Sequence, residues 1–175
     1  MKKILGSALA LAILASPAFA EDRSMTATKD IVDAAVASAD HSTLVAAVTA
    51  AGLVDTLKGK GPFTLFAPTN AAFAKLPAGT VENLLKPENK ASLTKILTYH
   101  VVAGKLDAAG VVKAIKAGKG KATLTTVAGG KITASMAGKN VVITDEKGGK
   151  ATVTTADLME SNGVIHVVDS VLLPN

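Results

Sequence analysis

Ser161-Asn162-Gly163-Val164-Ile165-His166-Val167-Val168-Asp169 is the stretch that decides how this chain is read. Asn-Gly is a turn dipeptide suited to positive φ. Behind it, Val164 to Val168 is apolar on both faces, which marks a central strand covered on both sides. Upstream lie further Val/Ile/Thr-rich runs: Ala122–Val127, Lys131–Met136, Val141–Thr144 and Ala151–Thr155. Gly129-Gly130, Gly138-Lys139-Asn140 and Lys147-Gly148-Gly149 separate them. Short β-prone runs punctuated by glycine predict antiparallel hairpins. Val171–Leu173 reads as one more short strand, and Asp145-Glu146 as a solvated hairpin turn.

Further upstream the hydrophobic period changes. Ile31, Val32, Ala35, Val36 and Ala39 recur at helical spacing, as do Leu44, Val45, Val48 and Ala51. Asp40-His41-Ser42-Thr43 supplies caps at the corner between these two helices. Phe63-Thr64-Leu65-Phe66 is β-prone and ends at Pro68. Thr69 or Asn70 then caps a short helix carrying Ala72, Phe73 and Leu76. Val81–Lys86 and Glu88–Leu97 read as helical pieces divided at Pro87, and Asp107–Lys116 as another helix. Tyr99-His100-Val101-Val102 is β-prone. Helices first and strands later predict an α+β fold.

Three blocks now stand in order. They are Phe63 to Phe73 (with Phe66, Pro68, Thr69 and Asn70 inside), the pair Tyr99-His100, and Ser161 to Asp169, closing with Val171-Leu172-Leu173-Pro174. Together they resemble the fasciclin domain family over Ala27 to Asn175. The resemblance implies a sandwich or wedge of short, mainly antiparallel strands flanked by a helical bundle. It also implies extracellular modules of adhesion and matrix binding, found in bacteria as single-domain secreted proteins, with catalysis no general property. In animal members, integrin binding is attributed to an Asp-Ile pair before the last block and to residues around the Tyr-His pair. The matching positions here are Asp157-Leu158-Met159, with Leu in place of Ile, and Tyr99-His100. Asp157 also reads as a cap or turn residue ahead of Asn162. Phe66, Pro68, Thr69, Asn70, Phe73, Asn162, Gly163 and His166 read as structural residues of the blocks.

The N-terminus has the pattern of a secretory signal peptide: Lys2-Lys3, the uncharged apolar run Ile4–Ala15, then Ala18-Phe19-Ala20. The run is short of the roughly 20 residues of a membrane-spanning helix. The expected division is a signal peptide at 1–20, a flexible tail at 21–27 and a fasciclin-like domain at 28–175, in a protein exported to the periplasm or the medium. Cysteine is absent, so there is no disulfide, thiol nucleophile or lipid-accepting residue. From residue 21 onward, 17 basic face 14 acidic residues, a net charge of +3. The densest basic cluster, Lys116 to Lys121, reads as a solvated turn. With few aromatics to stack on bases, nucleic acid is not an expected partner.

The rival chemistry rests on His41, His100 and His166. None has the i, i+4 spacing of a helical zinc pair, so no metal site, cofactor or catalytic residue is assigned. His100 and His166 fall in blocks read as neighbouring strands, and the expected reading is a pair of largely buried, hydrogen-bonded histidines holding the sheets together. The expected function is adhesion, or binding to protein or matrix. The alternative is a soluble carrier of an apolar ligand such as a carotenoid or lipid, held in an Ala/Val-rich groove between helices and sheet.

Overall fold

The computed structural model describes residues 29–175. The expected signal peptide at 1–20 and tail at 21–27 lie outside the described residues. Helix α1 (Ile31–Ala37) starts at Asp30, whose side chain accepts from the Val32 and Asp33 amides. A 3-10 turn (Ala39–His41) leads into α2 (Ser42–Ala51). The start of α2 is capped from another part of the chain: Asn70 Oδ1 accepts from Thr43 N at 3.0 Å. Gly52 ends α2 in the left-handed region at φ 70°, where a side chain is costly. Then come α3 (Val54–Leu57), β1 (Phe63–Pro68) and α4 (Asn70–Ala74). Thr69 is the residue that caps α4, accepting from Ala72 N. After α5 (Thr80–Leu84), α6 runs from Lys90 to Tyr99 and β2 from Val101 to Ala103. Helix α7 (Ala108–Ala117) is capped by Asp107.

The remaining strands are β3 (Lys121–Thr125), β4 (Lys131–Ala137), β5 (Asn140–Thr144), β6 (Lys150–Glu160) and β7 (Gly163–Val168). They join β1 and β2 in one hydrogen-bonded series, β2-β1-β7-β6-β5-β4-β3. The long β6 pairs with β5 at its start and β7 along its length, so it belongs to both halves of the sheet. A bridge between Val102 and Thr126 brings the ends of the series together. Of the strand pairs, β1–β7 is parallel and the others are antiparallel. The α+β class stands, with helices packed on a mixed, nearly closed sheet.

Every residue of β7 is buried, as its two-sided apolar pattern predicts. One buried cluster joins Leu65, Ala67 and Ile165 to Ile31, Leu44, Val48, Leu93 and Leu97 of the helices. The other joins Phe66 and Val168 to Ile132, Ile143, Ile115 and Leu172. Each fully buried large aliphatic or Phe side chain contributes about 1.5–3 kcal/mol.

Four expectations are corrected. Tyr99 and His100 are not strand residues: Tyr99 ends α6 and His100 is its C-cap. Val171–Leu173 forms no strand but an irregular tail that buries Leu172 completely. Asp145 is buried, not solvated: its Oδ1 accepts from Lys147 N and Gly149 N, and its Oδ2 from Leu173 N. Neither Asn162 nor Gly163 has positive φ. Asn162 instead ties three segments together. Its Oδ1 accepts from Ile31 N at 3.0 Å, and its Nδ2 donates to Leu57 O at 2.7 Å and Gly59 O at 3.2 Å. Asn162→Ala removes those bonds and is expected to lower stability by about 2 kcal/mol, at roughly 1 kcal/mol or less for each. A urea midpoint equal to the wild type's would count against this role.

Candidate functional site

The Asp157-Leu158-Met159 trio lies on β6 where the strand is irregular. Register shifts against β7 fall between Val153 and Thr155 and between Thr155 and Leu158. Asp157 itself has φ 60°, a left-handed value for a residue that carries a Cβ. Two contacts hold it there. Its Oδ1 accepts from Ala108 N at 2.6 Å, at the first residue of α7, beside the cap that Asp107 gives to Gly110 N. Its own amide faces His166 Nδ1 at 3.4 Å. The carboxylate at the positive end of α7 is electrostatically favourable.

His166 fixes that arrangement from below. It is 2 % exposed and hydrogen-bonds Leu106 O through Nε2 at 2.7 Å, which makes Nε2 the protonated nitrogen and leaves Nδ1 free to accept. Its ring stacks on Phe66, its partner in register across β1–β7, with centroids 5.6 Å apart. Past the shifts the ladder is regular again, with Leu158 opposite Ile165 and Met159 opposite Val164, so the two side chains lie on opposite faces of β6. Leu158 lies beside Ala34, Ser38 and His41, and both residues are exposed, at 39 % and 42 %.

Tyr99 and His100 stand apart from this edge. Tyr99 is fully buried, donates through its hydroxyl to Lys131 O at 2.8 Å and accepts from Glu146 N at 3.1 Å. Burial pushes its phenol pKa up. His100 is buried, with Nδ1 on Ile96 O at 2.8 Å and Nε2 accepting from Leu172 N at 2.9 Å. Burial pushes it down to about 4. Neither offers a surface to a partner. The two expected neighbours, His100 and His166, are likewise separate: β1 lies between β2 and β7, and each ring bonds its own backbone partners. His41 is also buried, its Nδ1 on Ser38 Oγ at 2.9 Å, and desolvation lowers its pKa. Among the described residues no cluster of three or more His, Asp or Glu could hold a metal ion.

Of the residues read as structural, Phe66 and Phe73 are core, Thr69 caps α4, Asn70 caps α2, and Pro68 closes β1. The bridging role of Asn162 and the positive φ of Asp157 had no signal in the sequence.

The fold and this edge define an α+β module in which His100, His166, Asp145 and Asp157 bond backbone groups of its own chain. The chain belongs to the fasciclin domain family, which it matches over residues 39–174. It is similar to Protein sll1483 of Synechocystis sp., 53 % identical over 156 residues that cover 89 % of this chain and 77 % of that protein. It is 41 % identical over 122 residues to Immunogenic protein MPB70 of Mycobacterium bovis, covering 70 % of this chain and 54 % of that one. Transforming growth factor-beta-induced protein ig-h3 of Sus scrofa is 36 % identical over 157 residues, which are 89 % of this chain and 21 % of that protein. Among solved structures, a FAS1 domain pair from the insect cell adhesion molecule Fasciclin I superposes with a TM-score of 0.55 at 25 % identity, covering 72 % of this chain and 42 % of the other.

Proposed function

We propose that this chain is an exported, non-catalytic binding module that engages a protein or matrix partner through the Asp157–Met159 edge of β6. The observation that carries the reading is the joint exposure of Leu158 and Met159 on a bulged strand. An adjacent apolar pair held on a rigid element is suited to anchor a partner, because ordering it on binding costs little. In this reading Asp157 is a positioning residue. Its Oδ1 accepts from Ala108 N, and its work is to hold the irregular turn of β6 from which the exposed pair continues. The solved neighbour from a cell adhesion molecule supports the class of role. Export follows the signal-peptide pattern at 1–20, to the periplasm or the medium.

Beads coated with the protein are expected to be retained on the extracellular layer laid down by its own host. A Leu158→Ser/Met159→Ser variant is expected to lose about tenfold in retention, since truncating a central anchor costs more than about 1 kcal/mol. Its melting temperature should stay near the wild type's, because both residues are already at the surface. Retention no better than that of uncoated beads, or equal for both proteins, would overturn the proposal.

A second reading, the apolar carrier, has one observation in its favour. An apolar cleft of about 180 Å³ opens between α1, α2 and α3, lined by Ile31, Val36, Leu44, Val48, Val54 and Leu57. Pockets for drug-sized ligands run to about 300–1,000 Å³. The cleft therefore fits one small apolar group, and a carotenoid would need it to widen. A pigment or lipid mass riding on the protein in native mass spectrometry would favour the carrier; a bare chain would favour the binding edge.

A further inference from the structure

The charge of this molecule is unevenly spread. Between Lys113 and Lys150 stand eight lysines against two carboxylates, Asp145 and Glu146. The other described residues carry eight lysines against ten carboxylates. The basic segment is α7 with β3, β4 and β5, up to the first residue of β6. Both carboxylates in it bond backbone amides. Asp145 is buried on backbone amides, and Glu146 Oε1 accepts from Lys131 N at 3.0 Å.

Strand register collects part of this charge on one face. Ala122, Ala134, Ile143 and Ala151 are in register across β3 to β6 and face the core. The residues between them therefore share the outer face. One outer row is Lys121, Ser135, Val142 and Thr152. The next is Thr123, Thr133, Thr144 and Lys150, and a third pairs Thr125 with Lys131. No position in these rows is a carboxylate. Helix α7 packs Val111 and Ile115 on the inner side, so it leaves this face open.

We infer that the outer face of β3–β6 is a docking surface for an acidic polysaccharide, one carrying carboxylate groups on its sugars. The chemistry of the face selects that occupant. Lysine ammoniums attract carboxylates as point charges, while the threonine and serine hydroxyls both donate to and accept from sugar hydroxyls. Lys121 and Lys150 sit on opposite sides of the face, three strand spacings or about 14 Å apart across the strands and one row, about 7 Å, apart along them, so they grip an extended chain at two points. Nucleic acid is disfavoured because the face has no aromatic platform for bases and no arginine for bidentate phosphate contacts. A membrane is disfavoured because Val142 is the one large apolar residue in the rows. The surface is separate from Leu158 and Met159, which lie at the far end of β6.

The test uses polygalacturonate as probe, with neutral dextran, double-stranded DNA and phosphatidylserine vesicles as comparisons. The protein is expected to bind polygalacturonate at low salt. Binding should weaken as salt shortens the screening length below about 8 Å. Lys121→Gln/Lys131→Gln/Lys150→Gln should weaken it about tenfold, the three exposed charges each contributing modestly. Lys60→Gln/Lys86→Gln/Lys90→Gln, which removes the same charge elsewhere, should leave it within about twofold. All three substituted lysines of the first variant are exposed, so it should fold. Absent binding, equal binding to dextran, tighter binding to DNA or vesicles, or an equal loss in both variants would each overturn the assignment. None of these outcomes depends on the Leu158-Met159 edge.

Discussion

Gly163→Ala is expected to destabilise the protein by about 3 kcal/mol or more, at the severe end of overpacking. Gly163 is the first residue of β7 and pairs with Phe63 of β1 in the parallel register. Its φ is not in the left-handed region, so its conformation is open to any residue and alanine brings no backbone strain. Space is the whole difficulty. A Cβ built there would overlap the Phe63 carbonyl oxygen and lie 3.0 Å from its carbonyl carbon. Both are backbone atoms, and neither can rotate away. The two strands would have to part where Phe63 N donates to Asn162 O and where every side chain of β7 is buried. Gly148→Ala is the contrasting variant. There φ is 86° and nothing lies within 4 Å, so the cost is conformational, about 1 kcal/mol. Urea denaturation of the two variants separates the mechanisms. A Gly163→Ala midpoint as close to wild type as that of Gly148→Ala would refute the close-approach reading.

That glycine shows how far the sequence could be read. Its block was legible, and so was the central strand behind it, because an apolar run with no alternation has few places to go but the middle of a sheet. The helices were legible from their spacing, and the hairpins from their glycines. The reason Gly163 is glycine was not legible, since it lies in a contact with a residue 100 positions away. The same holds for Tyr99-His100. Two β-prone residues end a helix because the phenol reaches Lys131 O and the imidazole reaches Ile96 O, bonds that outweigh local propensity. Val171–Leu173 has strand composition but spends its amides on His100 and Asp145 instead of a ladder. For the candidate edge, the residue types were visible and the geometry was not. Only the packing around the end of β6 reveals that Leu158 and Met159 are both exposed. The lysine face needed register too, since in the chain those lysines are merely scattered.

A melting temperature that holds steady above neutral pH and falls as pH drops from about 6.5 towards 4 is the result expected from His100. An imidazole in an unfolded chain titrates near 6.5. Burial lowers the folded value to about 4, against the weaker upward pull of the Ile96 carbonyl and Asp145. Above pH 6.5 both states hold the ring neutral and stability is independent of pH. Between the two values only the unfolded state takes up a proton, so stability falls by about 1.4 kcal/mol per pH unit. The full difference is about 3 kcal/mol, and below pH 4 this group adds nothing more. The geometry explains why the ring resists protonation. Nδ1 donates to Ile96 O, so the site left for a proton is Nε2, which accepts from Leu172 N. A proton there would set two donors against each other and release the buried Leu172 tail. His41, whose pKa burial also lowers, adds a slope of the same sign. Asp33 and Asp169, both lowered, lose their contribution only in the carboxylate range below. A His41→Phe variant should therefore keep most of the slope, whereas His100→Gln should start less stable at neutral pH and lose most of it. A wild-type melting temperature unchanged between pH 7 and pH 5, or a slope that survives in His100→Gln, would remove His100 from this role.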